Sequence, residues 1–151
     1  DCIEALDNNL ETFIEQAIHP EFTKAVFSAK SERSIGLGVL GYHGLLMQRG
    51  IPFESLQARL LNKRIFAFIA DLANKASIFL GAKKGIPPDG GTRRNSYLTS
   101  LQPTASTSFI CGGATPSIEP IAGNAFLQKT TSGSFLVKEC QDQHYWSVEL
   151  E

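Results

Sequence analysis

Pro103-Thr104-Ala105-Ser106-Thr107-Ser108 places four hydroxyls beside a row of backbone N–H groups in six residues. Proline at its head sets the turn without donating a hydrogen bond. Where such a run passes from an extended segment into a helix, hydroxyls, amides and the helix dipole together suit an anion such as phosphate. The same composition serves equally in a surface loop whose hydroxyls bond their own backbone. Composition leaves both readings open. A second run, Gly36-Leu37-Gly38-Val39-Leu40-Gly41, fits the G-x-G-x-x-G spacing that lets a backbone approach a pyrophosphate. That chemistry requires a buried strand just before the first glycine and an acidic ribose ligand about 20 residues further on. Here Ser28 to Ser34 is polar, with Lys30, Glu32 and Arg33, and a helical pattern follows the glycines. The run therefore reads as close packing of Ile35 to Gln48 against a neighbour. In that reading Leu37, Val39, Leu40, Leu45, Leu46 and Met47 are buried and His43 is a packed or edge histidine, not a catalyst.

The elements that would position these residues follow from periodicity. Ile3, Leu6, Leu10, Phe13, Ile14 and Ala17 recur at intervals of three and four, one stripe of an amphipathic helix. His19-Pro20 stops it, and Glu21 to Lys30 adds a short second helix. Ser55 to Gly81 reads as one long helix, with Leu56, Leu60, Ile65, Phe68, Ile69, Leu72, Ala76 and Phe79 on a broad apolar face. Gly81 or Gly85 closes it, and Ile86 to Gly91 has turn chemistry. Beyond Arg93 come the short strand-like runs Ser96 to Leu101, Ala125 to Lys129 and Ser134 to Lys138.

Composition excludes several classes. With 151 residues, 14 basic against 15 acidic side chains and a net charge of -1, the chain lacks the basic footprint of a nucleic-acid binder. Apolar stretches such as Ile65 to Ala70 are too short to span a bilayer, so a cytoplasmic protein with no membrane partner is expected. The odd, widely spaced Cys2, Cys111 and Cys140 match neither a disulfide framework nor a metal knuckle. His19, His43 and His144 have no ligand partner at helical spacing, so no metal site is expected.

Arg94-Asn95-Ser96-Tyr97-Leu98-Thr99, the Pro103 to Ser108 run, Ser117-Ile118-Glu119-Pro120, Asn124 and Thr131 to Val137 stand in an order that resembles the large, catalytic subunit of ribonucleotide reductase. Arg33 to Gly38, Ile51-Pro52-Phe53-Glu54 and the long helix also look like that family. The resemblance implies an α/β fold: a helix-rich fragment of the family's ten-stranded α/β barrel, with long helices followed by short strands. Residues 1–138 would form part of the C-terminal half of the barrel, and 139–151 a divergent tail.

The resemblance further implies that Thr104, Ala105, Ser106, Thr107 and Ser108 hold the phosphates of a ribonucleoside diphosphate. The family's radical cysteine lies in an upstream Asn-x-Cys-x-Glu loop, and its reducing cysteine pair comes from elsewhere in the barrel. Accordingly no catalytic residue is assigned in this chain, and Cys111, Cys2 and Cys140 are read as buried thiols. The segment itself would bind no cofactor. The complete enzyme implies a radical source (a di-metal small subunit, or cobalamin in a relative), a dithiol reductant and ATP or dNTP effectors bound elsewhere. Its partners would be the remainder of the large subunit, the radical-generating small subunit and a second large subunit. A different class stays open beside this one: a non-catalytic split-gene product or remnant acting as an interaction module.

Overall fold

The computed structural model describes residues 2–123, 125–130 and 133–138. Among the described residues there are five α-helices and two strands: α1 (Cys2–Gln16), α2 (Thr23–Glu32), α3 (Tyr42–Gln48), α4 (Leu56–Lys84), α5 (Ala105–Ile110), β1 (Ala125–Thr130) and β2 (Gly133–Lys138). The two strands pair antiparallel from Ala125 opposite Lys138 to Thr130 opposite Gly133. Residues 139–151, with Cys140 and His144, lie outside the described residues. The chain separates into two compact units. One contains the residues up to Gly38 and Lys63–Leu101, the other Val39–Asn62 and the described residues from Gln102 onward.

In the first unit α1 ends before His19, whose extended backbone (φ -69°, ψ 139°) is the conformation that a following proline imposes. A single 3-10 turn, Pro20–Phe22, then leads into α2, which stops at Arg33 in a left-handed conformation. The chain next runs extended. Ile35 and Leu37 donate to the carbonyls of Tyr97 and Leu98, and Ser100 donates back to Leu37. This places Leu37 and Thr99 in a parallel bridge. The connection between these parallel segments contains α4, as a parallel pair requires. The expected strand Ser96 to Leu101 is thus extended chain with one bridge, because among the described residues it has a neighbour on one side only. Ile3, Ala73, Leu80 and Leu98 form the core, with Ile35, Leu37 and Ala76 packed against them.

The long helix forms where expected but turns a different face inward. Its buried positions in this unit are Ala73, Ser77, Leu80 and Gly81, whereas Phe68, Leu72 and Phe79 are exposed. Small residues are favoured because the chain crosses close by: a Cβ on Gly81 would stand 3.2 Å from the Arg94 nitrogen. Gly81 lies inside the helix, and Gly85, at φ +89°, closes it, its N–H bonding the Gly81 carbonyl. An 18-residue window of α4 has a mean hydropathy of 1.5, long and apolar enough to cross a membrane by length and composition. The core helix of a soluble protein meets the same measure, so the expectation drawn from Ile65 to Ala70 is not overturned. The helix nevertheless uses polar side chains in protein contacts, Asn74 with Arg93 and Ser77 with Asn95.

In the second unit Gly41, at φ +82°, turns the chain into α3. Leu46 is fully buried, and the Tyr42 hydroxyl donates to the Ala58 carbonyl at 2.8 Å. Phe53 meets the rings of both Tyr42 and His43 edge-on. Leu45 and Met47, with Val39 and Leu40, are half-buried where full burial was expected. A seven-residue helix presents one face to its neighbours, and Tyr42, His43 and Leu46 take it.

Candidate functional site

The Thr104–Ser108 run forms a tight turn into a short helix. Thr104 adopts a left-handed conformation (φ +50°), and its carbonyl accepts the Ser108 N–H at 2.8 Å, closing the first turn of α5. The N–H groups of Ala105, Ser106 and Thr107 precede any possible intrahelical acceptor, and all three residues are exposed. The four hydroxyls divide into two pairs. Ser108 is buried and its hydroxyl donates to the Ala105 carbonyl at 3.0 Å. Thr104 Oγ1 accepts the Ser117 N–H at 2.7 Å. Ser106 and Thr107 are exposed residues with no hydroxyl bond of this kind among the described residues, and with the first-turn amides beside them the chemistry the run offers is hydrogen bonding to an anion.

The run 114–121 lies against this turn and against α3. Gly41 N–H donates to the Thr115 carbonyl at 2.7 Å, and Gly44 N–H to Thr115 Oγ1 at 3.1 Å. His43 is buried, and its Nδ1 accepts the Ile121 N–H at 3.2 Å. Burial pushes the His43 pKa below the ordinary histidine value, because a charged ring is poorly solvated there. His43 is thus the packed histidine that was expected. The Gly36–Gly41 run is not arranged as a dinucleotide loop: Leu37 is in the parallel bridge, Gly41 N–H is taken by Thr115, and the helix starts only at Tyr42.

A charge cluster in the first unit was not anticipated. Asp7 is completely buried on the inner face of α1. Arg33 Nε lies 3.0 Å from its Oδ1, Arg94 Nε 3.0 Å from its Oδ2, and Asn95 Nδ2 3.1 Å from Oδ1. Glu11 takes a second contact from each arginine. Burial pushes the Asp7 carboxyl up, but the hydrogen bonds from Arg33, Arg94 and Asn95 and the charge of Arg33 outweigh it and hold the group below the usual carboxylate value. Asn95 also donates to the Arg33 carbonyl and exchanges bonds with Ser77, so the cluster is fully hydrogen-bonded around that side chain. The signal in the sequence was slight: a lone aspartate on an apolar stripe.

Cys2 and Cys111 are exposed, which corrects their reading as buried thiols. Cys111 follows the end of α5 where Gly112 and Gly113, both at positive φ, reverse the chain and leave it uncovered. Cys2 opens α1 off the face that Ile3 and Asp7 bury. Among the described residues no group of His, Cys, Asp or Glu is arranged to hold a metal ion.

The chain matches the family described as ribonucleotide reductase, barrel domain, over residues 1–91 and 89–151, and it belongs to that family. Within it, the chain is 46% identical over 140 residues to the ribonucleoside-diphosphate reductase large subunit of Invertebrate iridescent virus 6, covering 91% of this chain and 14% of that protein. It is 35% identical over 115 residues to a vitamin B12-dependent ribonucleoside-diphosphate reductase of Thermoplasma acidophilum, covering 70% and 15% respectively. Among solved structures, the Actinobacillus ureae class Id ribonucleotide reductase alpha subunit superposes with a TM-score of 0.79 at 39% identity, over 82% of this chain and 24% of that one. The chain thus spans between about one seventh and one quarter of these proteins' length.

Proposed function

We propose that this chain contributes the substrate-phosphate loop of a ribonucleoside-diphosphate reductase large subunit, which reduces ribonucleotides to deoxyribonucleotides for DNA synthesis. The observation that carries the proposal is the Thr104–Ser108 turn, where Ala105, Ser106 and Thr107 are exposed at the first turn of α5, whose amides have no intrahelical acceptor. The turn lies within a chain of the reductase barrel family. Oxyanions of a diphosphate accept from such donors, and a diphosphate anchored at one end fixes where the ribose reacts. Residues 1–138 are then part of the C-terminal half of the barrel, the rest of which supplies the other strands, the radical cysteine and the reducing pair.

The radical source supplies the thiyl radical that opens the reaction at the ribose. A di-metal small subunit is favoured over cobalamin for that source. Two relatives named as large subunits, at 46% and 43% identity, stand above the vitamin B12-dependent ones at 35% and 34%, although two further large subunits stand at 28%. The same reading places the protein in the cytoplasm as a homodimer of large subunits.

The test is a complete reductase carrying these residues with Ser106→Leu and Thr107→Val combined. The KM for a ribonucleoside diphosphate is expected to rise at least tenfold. An unchanged KM would remove the proposal.

A further inference from the structure

The residues that would touch phosphate are held by a second segment. Thr104 and Ser117 both carry left-handed backbones, at φ +50° and +46°, a conformation that costs a residue with a Cβ and persists only where its surroundings hold it. They are joined by the 2.7 Å bond from Ser117 N–H to Thr104 Oγ1. Ser117 is in turn fixed from both sides. Two residues before it, Thr115 takes Gly41 N–H on its carbonyl and Gly44 N–H on its hydroxyl. Four residues after it, Ile121 N–H rests on the His43 ring. Thr115 is 3% exposed and His43 1%, so neither is open to a ligand.

We infer that Thr115 and His43 are positioning residues for the phosphate loop: they anchor the 115–121 segment to α3, and through Ser117 that segment holds Thr104 in the conformation that aims the amides of residues 105–107. The inference rests on the function proposed above and adds residues that do not themselves meet substrate.

The complete reductase distinguishes this from a merely structural role. Thr115→Val keeps the shape but removes the acceptor for Gly44 N–H. It is expected to raise about tenfold both the KM for cytidine diphosphate and the inhibition constant of inorganic pyrophosphate, with kcat held within about twofold. That factor corresponds to ~1.4 kcal/mol of binding. Thr115→Ser, which retains the acceptor, is expected to restore both constants.

Should Thr115→Val not fold, the pair His43→Leu and His43→Asn reads the same quantities, since asparagine Oδ1 stands near the position of Nδ1. Constants that do not move, or a kcat that falls as steeply as KM rises, would overturn the inference. If the Ser106→Leu, Thr107→Val enzyme binds cytidine diphosphate normally, the proposed function fails and this inference with it. If that enzyme is impaired while Thr115→Val is not, the inference alone fails.

Discussion

Arg94 Nε lies 3.0 Å from Asp7 Oδ2, in a buried contact between residues 87 positions apart. Arg94 also donates to the carbonyls of Lys84 and Gly85, so one guanidinium ties α1 to the closing turn of α4. A buried ion pair is weak evidence of net stabilisation, because desolvation offsets much of the attraction, yet removing one partner strands the other charge. Here a single carboxylate faces two arginines and Lys84.

Asp7→Asn is therefore expected to destabilise the first unit by ~3–5 kcal/mol, the range for breaking a buried pair. Equilibrium unfolding in urea measures it. A loss under about 1 kcal/mol would mean that Glu11, which also meets both arginines, carries the compensation.

Acid should destabilise the protein in two stages. His43 has a folded-state pKa below its unfolded value near 6.5, so the unfolded chain binds more protons and stability falls as the pH drops below about 6.5. Its protonation would also set a new N–H against the Ile121 N–H that Nδ1 now accepts. Asp7, likewise depressed, contributes stability that is complete above its unfolded pKa near 4 and is lost as the pH falls through the folded value. Melting temperature recorded from pH 8 to pH 3 should fall in both ranges, and His43→Asn should flatten the upper one alone. A curve flat between pH 6.5 and 5 would contradict the assignment to His43.

The isolated chain of 151 residues is expected to produce no deoxynucleotide. Phosphate binding supplies orientation, whereas reduction needs a radical, a dithiol and proton transfers converging on one ribose. Product above a blank, formed with this chain alone and a reductant, would refute the assignment of the reaction's cysteines to other parts of the enzyme.

Helix positions were legible because three-and-four spacing survives whatever the helix packs on; α1 and α4 fall within a few residues of their expected limits. Which face turns inward was less so. Periodicity pointed to Phe68, Leu72 and Phe79, but close approach of residues 93–95 selects Ala73, Ser77 and Gly81. The partners of Asp7 were hidden for a related reason: a lone aspartate on an apolar stripe is a slight signal, and no local pattern announces residues 33 and 94. The Pro103–Ser108 composition was compatible with the turn into a helix that forms, and equally with a plain surface loop. It did not show that Thr104 and Ser108 spend hydroxyl bonds within the fold, leaving Ser106 and Thr107 open.

The sequence separations around Asp7 also impose an order in time. Its contacts reach 26 residues ahead to Arg33 and 87 and 88 residues ahead to Arg94 and Asn95. At synthesis rates of about 5–20 residues per second, Asp7 leaves the ribosome roughly 4–17 s before Arg94 does. During that interval α1 can form and Asp7 can meet Arg33, but the core around Ile3 cannot close on Leu98, which follows Arg94 in the chain. Completion of the contacts of α1 therefore waits on residues 94 to 98.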